Sequence, residues 1–419
     1  MHLSKNLAIG FIFLVFFVIS FLTNILGPLV PDIIGGFKVS MAMAAVLPFS
    51  FFIAYGVMSI PAGFLIERWG EKRSMLAALC VAFLGALAFA ASPTYAVAVA
   101  SLFVTGAGMA ALQVALNPLL RVVGGEEHFA FNSAFAQFVF GVASFLSPKV
   151  YEYLIAHLGA PAGGQSLGLQ WIARLTPSEL PWVSIYWLFA LIALLTTLLL
   201  SCIKLPKVER TSDESAGDRA AYGKLLRNPT VWGYFLCVVA YVGSEQGTAD
   251  WMSEFLSRYH GADPHTTGAD AIAYFWGMLT LGCLLGMALL RLYDSRRVLI
   301  ATCAGALLML SLALFAPYGV ALWAFPAVGF FASIMWPTIV SLALNSVSHL
   351  HGPFAGILCT GISGGALVPL LIGRLADSFG LRQGLFLLYG TFGIVLSIGF
   401  WARPIINNAV RERHAALAA

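Results

Sequence analysis

The sequence predicts an all-α polytopic membrane protein, with 12 transmembrane helices in two pseudo-symmetric six-helix bundles. Three observations predict it. Of 419 residues, 60% are hydrophobic and only 10% charged, whereas a soluble domain is nearer half apolar and a quarter charged. The apolar runs repeat at lengths near the ~20 residues that one crossing needs. The Lys and Arg residues gather on one side of those runs, as membrane topology demands.

Taken in order, spans are predicted near 7–33, 41–66, 74–92, 95–123, 129–158 and 184–203, then near 230–256, 268–291, 297–316, 320–347, 353–376 and 384–403. The first run is too long for the apolar region of a cleavable signal peptide. The most polar stretch, 204–228, reads as a cytoplasmic linker between a bundle at 1–203 and a second at 229–419 that ends in a short tail. A Gly- and Pro-containing loop near 159–183 has room for a short helix. With the N-terminus in the cytoplasm, 17 of the 23 Lys and Arg residues fall inside, so both termini and the linker are expected there.

The halves read as copies of one unit. Gly63 and Gly286 are 223 residues apart, Pro118 and Pro337 are 219 apart, and Pro148 and Pro369 are 221 apart. Paired repeats place a substrate site at the membrane midplane, between the halves.

Composition also excludes. The net charge of +4 gives no footprint for nucleic acid. The six cysteines lie inside apolar runs and show no metal-ligand spacing, so no metal or other cofactor is expected. An HExxH motif is absent, and few charged groups exist to do acid–base work, so an enzyme is not expected.

Polar side chains deep in a bilayer are costly and usually face a cavity or a partner. Asn24, Gln113, Asn117 and Gln137 in the first half offer paired donors and acceptors suited to hydroxyl groups, or to bonds between helices. Glu245, near the middle of span 7, is the deepest carboxylate. It could take up a proton when desolvated and lose it when a cavity opens, hold Na⁺ with nearby oxygens, or bond another helix. Gln246 follows it. Asp250 lies about 7.5 Å further along the helix axis and reads as a gate or loop contact. Gly243 and Gly247 flank Glu245 at GxxxG spacing, which means close packing or room for a substrate. Trp251, Trp276 and Trp336 could stack on the apolar face of a sugar ring, or simply pack. The run 63–73, GFLIERWGEKR, places charges where span 2 leaves the membrane.

That run resembles the loop 2–3 signature of the major facilitator superfamily, with Gly63, Glu67, Arg68, Gly70, Lys72 and Arg73 matching and Glu67 in place of the usual Asp. The resemblance implies a cytoplasmic gate at these residues. Within the superfamily the chain is similar to the fucose–galactose–glucose/H+ symporter family, through Asn24-Ile25-Leu26 with Pro28, IPAGFLIE at 60–67, LQVALNPLLRVVG at 112–124, YVGSE at 241–245, SIMWPTIVSLAL at 333–344 and GISGGALVPLLIGRLAD at 361–377. The resemblance implies secondary active transport of a monosaccharide or related polyol. It departs where it matters: the family pattern has an Asp in span 1 and a Glu in span 4, linked to proton coupling and sugar binding, where this chain has Asn24 and Gln113. Neither amide titrates, so the coupling role is expected to pass to Glu245. That arrangement looks more like the branch related to sodium-dependent glucose transporters.

The expected protein is thus a monomeric, multi-pass inner-membrane transporter working by alternating access, with a sugar-like substrate, H+ or Na+ as co-transported ion, and the lipid bilayer as its surroundings. A drug or metabolite efflux antiporter of the same fold, and a non-transporting membrane receptor, are the alternatives.

Overall fold

The computed structural model describes residues 5–124, 129–158, 166–203, 205, 219–347 and 350–405. Most of the linker expected at 204–228, and the tail beyond 405, lie outside the described residues.

Every regular element among them is helical. The chain runs α1 (Lys5–Thr23), α2 (Leu26–Phe37), α3 (Met41–Trp69), α4 (Glu71–Ala91), α5 (Tyr95–Gly124), α6 (Phe129–Leu158), α7 (Leu167–Leu175), α8 (Ser184–Cys202), α9 (Arg219–Leu225), α10 (Pro229–His260), α11 (Ala269–Leu292), α12 (Ser295–Phe315), α13 (Tyr318–Ala332), α14 (Met335–Leu344), α15 (His351–Thr360), α16 (Gly364–Phe379), α17 (Leu381–Leu385) and α18 (Leu387–Trp401). Among the described residues, ten segments are long and apolar enough to cross a membrane. The two other long helices, α6 with 30 residues and α10 with 32, carry more polar side chains. The polarity of α10 is what the candidate site draws on. The short helix expected in the 159–183 loop is α7, capped by the Ser166 hydroxyl, which accepts from the Leu169 amide at 3.5 Å.

Successive long helices run in opposite directions. One end of the molecule, here the near end, carries Lys5, Gly70, Asp294 and Arg403. The far end carries the turns at 38–40, 92–94 and 261–263. Large apolar side chains such as Leu195, Leu285, Leu308, Trp323 and Phe400 are exposed on the outer faces. An apolar surface of that extent is stable against lipid and not against water.

Two expected spans break, each four residues before a proline. Proline has no N–H to give the carbonyl four residues earlier. Pro28 frees the Asn24 carbonyl, and span 1 divides into α1 and α2 at Asn24-Ile25. Pro337 frees the Ser333 carbonyl, and span 10 divides into α13 and α14 at Ser333-Ile334. The Cys283 thiol of α11 donates to that freed carbonyl at 3.1 Å. Span 11 divides at the 3₁₀ turn Gly361–Ser363.

Helices approach most closely where side chains are smallest. A Cβ added to Gly364 would lie 2.0 Å from the Val239 carbonyl oxygen, and one on Gly243 would lie 2.3 Å from Val368 Cγ2. Gly247 meets Ile372 and Leu388 in the same way. The GxxxG pair therefore packs α10 against α16 and leaves no space for a substrate on that face.

Polar contacts join the first and last sets of helices at the far end. Asp377, near the end of α16, accepts from the Met41 and Ala42 amides at 2.9 and 3.0 Å and so caps α3. His265 faces Asp32 at 3.5 Å, and Tyr151 also donates to Asp32. Lys149 of α6 bonds Asp270 of α11. These groups are partly exposed, where an ion pair contributes about 0.2–1 kcal/mol, so the far end is held by several weak contacts.

The α10–α16 contact sets a stability expectation. Gly364→Ala forces a shift against backbone, an overpacking cost of about 1–3 kcal/mol, whereas a Cβ on Gly393 meets nothing within 4 Å. Melting followed in detergent is expected to show a lower midpoint for Gly364→Ala and an unchanged one for Gly393→Ala.

Candidate functional site

The middle of α10 positions the central group. Its stretch Tyr241 to Asp250 holds Ser244, Glu245, Gln246, Thr248 and Asp250. Ser244 donates to the Ala240 carbonyl at 2.8 Å and to Thr391 Oγ1 at 2.7 Å, and Thr248 donates to the Ser244 carbonyl at 2.7 Å. Those hydroxyls are consumed inside the helix packing. Glu245 points elsewhere and is only half-buried, although its flanking residues are buried.

Three groups surround Glu245. The Tyr241 phenol, one turn earlier on the same face, lies close enough to feel its charge. Cys283 of α11 lies close enough to feel its charge. The Trp336 ring of α14 stands 6.3 Å from the Tyr241 ring, tilted by 41°. Trp336 is half-buried and Tyr241 buried. The Pro337-induced break places Trp336 here, because it starts a new helix on the far side of the kink. The helices flanking Glu245 also bear two buried groups without a hydrogen-bond partner, Trp276 Nε1 on α11 and Thr338 Oγ1 on α14. Buried polar atoms in native proteins are nearly always bonded, so such orphans mark places where a ligand can bond. The groups around Glu245 offer a carboxyl, a phenol and an indole face, which suits a small polyhydroxylated molecule.

The other expected substrate residues fall in different places. Asn24 is buried, and its amide donates to Ser144 Oγ at 2.8 Å and Ser20 Oγ at 3.3 Å. With Ser147 donating to the Phe21 carbonyl at 2.8 Å, it ties the span 1 break to α6. Trp251 is 1% exposed, and its indole donates to the Pro369 carbonyl at 3.1 Å. It packs α10 on α16. Gln246 is buried beside Gly365 and the Phe52 ring. Gln113 is half-buried on α5 and Gln137 exposed on α6. The side chain of Asn117 lies outside the described residues. Tyr241 was overlooked by sequence reasoning. Its signal was spacing alone, four residues before Glu245 and so on the same face.

At the near end, Gly70 takes φ +80° and closes α3, its amide donating to the Ile66 carbonyl at 2.8 Å. Gly63 is buried, while Glu67, Arg68 and Arg73 are exposed. Lys72 donates to the Ser201 carbonyl at 3.0 Å, at the end of α8. Tyr222 of α9 reaches toward α3, its ring 6.5 Å from Phe64. Burial first, and then the Glu67 carboxylate, hold the Tyr222 phenol above its usual range. A cavity of about 470 Å³ opens here, lined by Ile60, Phe64, Tyr222, Trp232, Phe235 and Ile357 among others. It is apolar and holds none of the polar candidates, so the chemistry lies with the groups around Glu245.

Comparison with known proteins agrees with this architecture. The Major Facilitator Superfamily profile matches residues 12–367. A glucose/galactose transporter of Brucella abortus biovar 1 (strain 9-941) is 30% identical over 377 residues, covering 88% of this chain and 87% of the relative. The L-fucose-proton symporter of Escherichia coli (strain K12) is 26% identical over 400 residues, covering 90% and 89%. The crystal structure of the E. coli fucose:proton symporter superposes with a TM-score of 0.69 at 21% identity, over 96% of this chain and all of that one. In sequence as in helix arrangement, the chain belongs to the Major Facilitator Superfamily.

Proposed function

We propose that the protein is a secondary active transporter that moves a monosaccharide or related polyol across the cytoplasmic membrane by alternating access, with Glu245 carrying the coupling cation. The observation that carries this reading is Glu245 itself, half-buried in the middle of the most polar long helix, beside Tyr241, whose ring Trp336 faces. The Brucella relative is named for glucose and galactose and the E. coli relative for L-fucose and protons, which supports the substrate class and a coupled cycle.

In this reading residues 1–203 and 229–419 form the two moving bundles and 204–228 the linker. The near end faces the cytoplasm, in line with the Lys and Arg bias. Trp336 stacks on the sugar ring, while Gln113, Asn117, Gln137 and Gln246 serve its hydroxyls as the bundles rock. Asn24 and Trp251 contribute by holding the walls. Gly63, Glu67, Arg68, Gly70, Lys72 and Arg73 form the cytoplasmic gate, with α9 docked beside it. The chain works as a monomer in the bilayer.

The coupling step uses the cost of a bare charge in a dry site. With the site open to water, Glu245 exchanges its cation. With the site closed, the carboxyl crosses only when neutralised, by a proton or by Na⁺. An amide at this position is permanently neutral and needs no cation.

Glu245→Gln is therefore expected to lose gradient-driven sugar accumulation, down to the level of a gradient-free control, while passive sugar exchange persists in proteoliposomes. Full accumulation by the variant removes Glu245 from the coupling role. Trp336→Ala is expected to raise the KM for sugar by roughly tenfold, equivalent to about 1.4 kcal/mol, with a smaller change in kcat. An unchanged KM rules out ring stacking.

A further inference from the structure

A second carboxyl group in α10 is left out of that cycle. Asp250 is 2% exposed, and its Oδ2 has no hydrogen-bond partner. It sits where span 1 closes on span 7: a Cβ added to Gly27 would lie 2.6 Å from the Ala249 carbonyl oxygen and 3.4 Å from Asp250 Cα. Gly27 follows directly on the span 1 break, so α2 and α10 touch backbone to backbone. Ser253, one turn further along the same face, has a buried hydroxyl that is also without a partner.

Among the described residues, no ion pair or hydrogen bond to Asp250 offsets this group. The titratable side chains on the elements packed around the far half of α10 are engaged elsewhere or exposed. Glu254 pairs with Arg258, Asp32 with Tyr151 and His265, and Asp270 with Lys149. Asp377 caps α3, Arg382 lies over the Tyr259 ring, and Arg374 is exposed. Glu245 is about 140° away around the helix, facing α11 and α14.

We propose that Asp250 is a proton-binding site beneath the far-end closure, loaded each time α2 seats on α10. An ionised carboxylate with an unserved oxygen is strongly disfavoured away from water. Closure therefore takes one proton from the outer aqueous phase: an O–H bond forms on the Asp250 carboxylate, and the hydronium that gives the proton becomes water. Opening hydrates the carboxyl and returns the proton. A metal cation is a poorer fit, because two orphaned oxygens fall well short of the six or so that such ions gather. The proposal rests on the alternating-access reading but not on the substrate or on Glu245, so it is tested without sugar.

Spin labels at Gly35 on α2 and Thr266, both exposed, report the far-end distance in a background with its six cysteines replaced. The wild-type site is expected to shift from a short-distance population in acid to a longer one in alkali. Asp250→Asn is expected to stay short at every pH. Asp250→Glu, which keeps the carboxyl, is expected to retain the shift, and so is His265→Gln, which removes a second pH-sensitive contact of the closure. A pH response in Asp250→Asn equal to wild type overturns the proposal, as does a wild-type distance that ignores pH. A distance that follows sodium and not pH overturns the proton assignment. Should Asp250→Asn fail to fold, loss of the shift in His265→Gln or in Asp250→Glu overturns it equally.

Discussion

The constraint that organises this structure is the dryness of the bilayer core. Every backbone and side-chain polar group placed there must find a partner within the protein or face a watered cavity. The helices satisfy their own backbones, except where proline removes a donor. At those points the chain divides, and the freed polarity is used: Ser333 takes a thiol from Cys283, and the break after Asn24 lets Gly27 reach the backbone of α10. The same constraint sorts the side chains. Ser20, Asn24 and Ser144 bond one another, Ser244 bonds Thr391, and Trp251 bonds Pro369. Among the described residues, what remains unbonded or half-buried on α10, α11 and α14 includes Glu245 and Asp250.

Much of the fold was legible in the sequence because span length and charge placement are one-dimensional properties. The run boundaries at 41–66, 95–123 and 129–158 lie within a few residues of α3, α5 and α6. The breaks in spans 1, 10 and 11 were not anticipated, although Pro28 and Pro337 were in view, since a proline in a membrane helix kinks or divides it depending on its neighbours. The GxxxG pair around Glu245 allowed two readings, and only the facing residues Val368 and Ile372 decided between them.

The candidate site was less legible, because a polar residue in a span looks the same whether it bonds a neighbouring helix or faces a cavity. Asn24 and Glu245 are both deep and polar. One is closed off by two serines and the other is half-buried beside Tyr241, whose ring Trp336 faces. Asp250 was read as a gate contact from its height alone, and its burial and orphaned oxygen appear only in three dimensions. Asn24 and Gln113 stand where the family pattern has carboxylates, and the titratable groups of this chain are concentrated instead on α10. In the proposed cycle the second bundle senses the cation through Glu245.

The central claim is that sugar movement is driven by a cation. Wild-type protein in proteoliposomes, offered a panel of monosaccharides under a proton gradient, a sodium gradient or neither, tests it most directly. The account predicts accumulation of at least one sugar above its external concentration under one of the two gradients, and simple equilibration without them. Equilibration alone under all three conditions, or no sugar flux at all, would contradict it.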